Sequence, residues 1–197
     1  MALFSFVCVD FQKEFTKPTG SFYKKRPMVK FTKETLIPFF IKNKIRVAEI
    51  VADYRHPRCG DKNENCVPGT PGFESELPDA IKKTPWVKSM NSPVWTRKNA
   101  GTVKKTSWPY PDVDGFGKWI KKNIKTKDCI LFGLTLDRCL FCTAQELSFR
   151  GYKVSVIKEA CDTYSGSKKE KDLMLKTPPV SNWISAVSWN KLKNNIE

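Results

Sequence analysis

Four short apolar runs set the strongest limit on what this chain can fold into. LFSFVCVD (Leu3 to Asp10) and RVAEIVAD (Arg46 to Asp53) each close on a carboxylate, and DCILFGL (Asp128 to Leu134) and YKVSVIKEA (Tyr152 to Ala160) follow later. Runs of this length with little alternation fit strands buried on both faces, as in a parallel sheet. Helical spacing falls between them, in ETLIPFFIKNKI (Glu34 to Ile45), GFGKWIKKNI (Gly115 to Ile124) and CLFCTAQELSFRG (Cys139 to Gly151). Thr32 is the expected cap of the first helix and Pro38 its expected interruption, while Gly151 closes the third. TPWVKSM (Thr84 to Met90) reads as a short further strand carrying Lys88, and WISAVSW (Trp183 to Trp189) as a last one. Thr16 to Phe31, Tyr54 to Pro78 and Asn91 to Asp114 read as loops, and a polar segment from Thr163 to Lys176 includes a helix. The alternation predicts a single domain over 1–197. Its fold class is α/β, a three-layer α/β/α sandwich with a doubly wound, mainly parallel sheet. Ligands on such sheets bind at the carboxyl ends of the strands, which is where Asp10, Asp53 and Cys139 fall.

The net charge of +15 raises the question of nucleic acid. The lysines are spread in small groups along the whole chain, with no basic tail, so a solvated lysine-rich surface is the expectation and nucleic acid is not an expected partner. Steering of an anionic substrate is the second reading. No apolar run approaches the roughly 20 residues that span a bilayer. MALFSFVCVDFQKEF reads as a first strand rather than a signal peptide. The seven cysteines form no disulfide framework, so reduced thiols in the cytoplasm are expected. Cys139-x-x-Cys142 has the spacing of a redox pair or half a zinc site, but no second pair completes a structural zinc site.

Cys139 stands where a strand gives way to a helix. A thiol attacks as thiolate, and a helix N-terminus or a nearby lysine favours that anion. A carboxylate can take the proton, and backbone N–H groups at the turn can hold an oxyanion. Asp10, Lys88 and Cys139 together supply these parts. A buried structural thiol is the competing reading of Cys139, and Lys98 competes with Lys88.

GLTLDRCLFCTA (Gly133 to Ala144) resembles the nucleophile motif of the isochorismatase-like cysteine hydrolases, the nicotinamidase-related family, at Gly133, Asp137, Cys139, Thr143 and Ala144. VDFQKEF (Val9 to Phe15), CVPGTPGFE (Cys66 to Glu74), WVKSMNSPVW (Trp86 to Trp95) and FRGYKVSVIKEACD (Phe149 to Asp162) are similar to its other motifs, in the same order. The resemblance implies a sheet of about six strands, with Asp10 as general base, Lys88 as charge stabiliser and Cys139 as nucleophile. It implies an oxyanion hole from the N–H groups of Thr135 and Cys139, with a cis peptide near Leu134–Thr135. Gln12, Phe15, Arg55, His56 and Trp95 are the candidate substrate contacts. The implied activity is hydrolysis of a C–N bond in a small amide or ureide through a thioester, in a dimer or tetramer. Vinyl-ether hydrolysis and a non-enzymatic anion- or partner-binding role are the alternatives. Nicotinamidases carry a metal on an Asp-x-His pair and a further His. This chain has one histidine, His56, placed three residues after Asp53, so neither metal nor cofactor is expected.

Overall fold

A computed structural model describes residues 3–58 and 60–196. Six parallel strands form the main sheet in the order β3-β2-β1-β6-β7-β8: β1 (Ser5–Val9), β2 (Ala48–Ala52), β3 (Trp86–Lys88), β6 (Asp128–Leu134), β7 (Lys153–Asp162) and β8 (Ser185–Val187). β1 lies at the centre, pairing Val7 with Ala48 on one side and with Leu131 on the other. Every residue of β1 and β2 is buried, as their apolar composition predicts. The strand order reverses between β1 and β6, and this is where a doubly wound sheet opens a crevice.

Aromatic packing marks the two helical layers. On one face Phe40 packs on Phe6 of β1 and Phe132 of β6, with ring centroids 4.8 and 5.8 Å apart, and Trp189 closes over Phe39 at 4.9 Å. On the other, Phe116 and Trp119 of the helix Val113–Asn123 pack against Trp86 of β3. Asp112 caps that helix by accepting from the Gly115 N–H at 2.8 Å.

Several sequence expectations are corrected here. The first long helix starts at Pro27, inside the expected loop, and runs over 27–42 as Pro27–Phe31, a π-helical turn Thr32–Leu36 and Ile37–Lys42. Pro27 supplies a preset φ at a position whose N–H needs no partner. Thr32 is therefore mid-helix (φ −61°, ψ −44°) and not a cap. Pro38 does not break the helix, because the wide turn just before it relaxes the bonding register that a proline disrupts. The helix carrying Cys139 begins three residues earlier than expected, with a π-helical turn Leu136–Leu140 ahead of Phe141–Phe149. The stretch 91–114 is not wholly irregular: it holds the antiparallel pair β4 (Trp95–Thr96) and β5 (Tyr110–Pro111). Among the described residues, no helix is long and apolar enough to cross a membrane.

Candidate active site

The carboxyl ends of four neighbouring strands deliver one cluster. Asp10 follows β1 with φ +50°, a left-handed conformation that aspartate tolerates better than most residues. Tyr54 lies two residues past β2, Lys88 ends β3, and Cys139 lies in the turn after β6. Asp10, Tyr54 and Lys88 have no exposure to solvent, and Cys139 is 4% exposed.

Lys88 Nζ stands 2.8 Å from Asp10 Oδ2. It donates to the Tyr54 hydroxyl and, at 3.2 Å, to the Met90 carbonyl. An ammonium has three protons and no lone pair, so Lys88 can meet the Tyr54 oxygen only as a donor. The Tyr54 oxygen accepts from Lys88, which frees its proton for the Cys139 sulfur 3.2 Å away. Sγ lies 3.5 Å from Asn91 Oδ1, an acceptor for the thiol proton. Arg58 donates to the same Asn91 oxygen at 2.5 Å, stacks 3.6 Å over the Tyr54 ring and is held by Asp61 at 2.8 Å. Among the described residues Asp10 Oδ1 has no hydrogen-bond partner, which leaves it available as a proton acceptor.

Burial pulls the Lys88 ammonium down, but the Asp10 carboxylate and the Cys139 sulfur outweigh it, so Lys88 stays charged. For Cys139 the balance goes the other way. Burial pushes the thiol up to about 11, against the opposing pull of Lys88, Arg58 and the Tyr54 hydroxyl. The expected resting thiolate is therefore replaced by a neutral thiol: desolvation disfavours the anion more than the surrounding cations favour it. Burial also holds Tyr54 well above its ordinary value, which keeps its proton in place.

The structure brings Asp10, Lys88 and Cys139 into one buried cluster through Tyr54, while Lys98 is exposed. The peptide Leu134–Thr135 is cis, as expected. Thr135 precedes the π-helical turn in an extended conformation, and with Phe15 it lines the small cavity beside Cys139.

Four candidate substrate contacts do not line that small cavity. Gln12 is fully engaged, accepting from the Ala52 N–H at 2.7 Å and donating to the Ala52 and Phe73 carbonyls, so it ties the end of β1 to its neighbours. Arg55 is buried in a bidentate pair with Asp53 (2.9 and 2.7 Å) and donates to Asn99 and Lys104 carbonyls. His56 stacks on Trp108, with centroids 4.3 Å apart. Trp95 lies on β4, 37% exposed, and does not line that cavity. The residues missed are Tyr54, Asn91, Phe22, Arg138 and Tyr164; Tyr54 carried a signal only in following Asp53 at a strand end.

These residues do not fit a metal centre. Both oxygens of Asp53 are taken by the Arg55 guanidinium, one of them also by the Gly101 N–H at 3.1 Å, and the only imidazole, His56, is stacked on Trp108.

No family profile and no curated relative matches the chain. Solved structures do. An isochorismatase-like hydrolase from Alkaliphilus metalliredigens aligns with a TM-score of 0.65 over 100% of both chains at 13% identity. A pyrazinamidase of Pyrococcus horikoshii, in complex with zinc, aligns at 0.64 over 95% of this chain and 100% of its own at 18% identity. N-carbamoylsarcosine amidase from Thermoplasma acidophilum aligns at 0.62 over 95% and 96% at 18% identity. The chain therefore has the isochorismatase-like α/β fold, and the six-stranded parallel sandwich expected from its sequence is the architecture observed.

Proposed function

We propose that this chain is an isochorismatase-like cysteine hydrolase that cleaves a C–N bond of a small amide or ureide through a thioester on Cys139. The observation that carries the reading is one buried cluster in which the Cys139 thiol, the Tyr54 hydroxyl, the Lys88 ammonium and the Asp10 carboxylate follow one another at hydrogen-bond or ion-pair distance. Buried titratable groups arranged in this way mark functional sites. As Sγ bonds to the substrate carbonyl carbon, the thiol proton passes to Asp10, and the carbonyl oxygen becomes an oxyanion held by the Thr135 and Cys139 N–H groups. The C–N bond breaks, and the amine leaves with the proton from Asp10. Water then attacks the thioester, giving its proton to Asp10; the C–S bond breaks and the sulfur takes that proton back from Asp10. The Lys88 ammonium, 2.8 Å from Asp10 Oδ2, holds that carboxylate in place between steps, and the Tyr54 proton favours the sulfur anion as it forms.

Intact-mass spectrometry across a panel of small amides and ureides tests this. A covalent adduct on Cys139, with turnover and adduct both lost in Cys139→Ala and both strongly reduced in Asp10→Asn, is expected. Turnover that survives Cys139→Ala rules out the thioester.

A further inference from the structure

The cavities beside Cys139 say something about the substrate. The inner one, lined by Phe15, Phe22, Arg58, Thr135, Arg138 and Tyr164, offers only about 10 Å³, space for one water-sized group. A reacting carbonyl fits there and the rest of a substrate does not. The outer cavity offers about 380 Å³ and shares Phe22, Arg138 and Tyr164 with the inner one. A substrate that enters through the outer cavity passes Arg138.

The two arginines at this passage differ in what they have left to give. Arg58 is spent on Asp61, Asn91 and the Tyr54 ring. The Arg138 guanidinium lies 4.1 Å over the Tyr164 ring, is 41% exposed, and donates no side-chain hydrogen bond among the described residues. The carboxylate nearest to it, Asp137, is 3.8 Å away and accepts from the Tyr164 N–H at 2.8 Å. Lys62 adds positive charge to the outer cavity, and Asp61, its acidic residue, is held by Arg58. Five N–H donors in a planar fork, none in a hydrogen bond among the described residues and only Nε ion-paired, to Asp137 at 3.8 Å, with a flat aromatic face behind them, suit a carboxylate.

We propose that the substrate is a small amide or ureide bearing a carboxylate, which Arg138 binds at the junction of the two cavities while the hydrolysable carbonyl enters beside Cys139. The proposal rests on the hydrolase reading only for which bond is cut.

Cys139 labelling by iodoacetate and by iodoacetamide, an anionic and a neutral probe of similar size, tests it on the full chain, with sites assigned by fragmentation because Cys142 lies on the same peptide. The ratio of the two rate constants, anionic over neutral, is expected to fall about tenfold in Arg138→Gln and to recover in part in Arg138→Lys. An equal ratio in wild type and Arg138→Gln overturns the proposal. If neither reagent labels Cys139, the thioester reading falls, and thermal shift decides this one separately. N-carbamoylglycine then raises the Tm of the wild type but not of Arg138→Gln, and N-carbamoylglycinamide does neither. Equal shifts with both compounds overturn it.

Discussion

Tyr54 changes what the cysteine can do. Without it, a thiol held up to about 11 by burial would face the Asp10–Lys88 pair with no hydroxyl between them. Its proton points to sulfur because its oxygen already accepts from Lys88. Tyr54→Phe keeps the ring under Arg58 and removes only this donor. We expect kcat to fall by about 10- to 100-fold with KM nearly unchanged, since the bond strengthens as the anion forms. The pH midpoint of Cys139 alkylation should move further up; a midpoint that stays in place excludes the role. At this scale the sequence showed the ionisable parts, because Asp10, Lys88 and Cys139 each sit in a motif with fixed neighbours. It did not show the partners of Gln12 or Arg55. Both are polar residues near strand ends, and only the folded neighbours, Ala52 and Asp53, determine that their polarity is used inside the protein.

Among the elements, the meeting of β1 and β6 sets the site, and one glycine permits it. Gly133 has φ +121°, and a Cβ there would lie 2.0 Å from the Val9 carbonyl oxygen. The contact is with backbone, so neither strand can yield without parting the sheet where Asp10 and Thr135 diverge. Gly133→Ala should cost more than about 3 kcal/mol in urea denaturation; a loss under about 1 kcal/mol would mean that β1 and β6 separate freely. The strands were legible because buried parallel strands have a continuous apolar signature. The start of the helix over 27–42 was not, because Pro27 resembles loop composition and Pro38 resembles a stop. The π-helical turn Thr32–Leu36 that accommodates Pro38 has no sequence period of its own.

At the scale of the molecule, the five buried thiols among the described residues tie stability to alkaline pH. Burial raises Cys8 and Cys66 well above their ordinary value, Cys139 to about 11, and Cys129 and Cys161 to about 12. In the unfolded chain they ionise near 9, so the unfolded state releases protons first. The stabilisation is complete below about pH 9 and is lost as pH rises toward 11 and beyond. Each thiol contributes on the order of 1 kcal/mol of loss by about pH 10, so the urea midpoint should drop between about pH 8 and pH 10. Lysine deprotonation relieves self-repulsion over the same range, which makes a decline attributable to the thiols; a flat midpoint would contradict their burial.

The sequence by itself determined the layered α/β architecture and the three ionisable groups at its strand ends, because apolar periodicity and local motifs are encoded over a few neighbouring residues. Only the tertiary structure decided that Tyr54 stands between sulfur and ammonium, that Arg55 closes Asp53 to a metal, and that the thiol rests neutral. Each of these depends on distances across strands far apart in the chain and on how completely water is excluded between them, and neither quantity is written in any local stretch of residues.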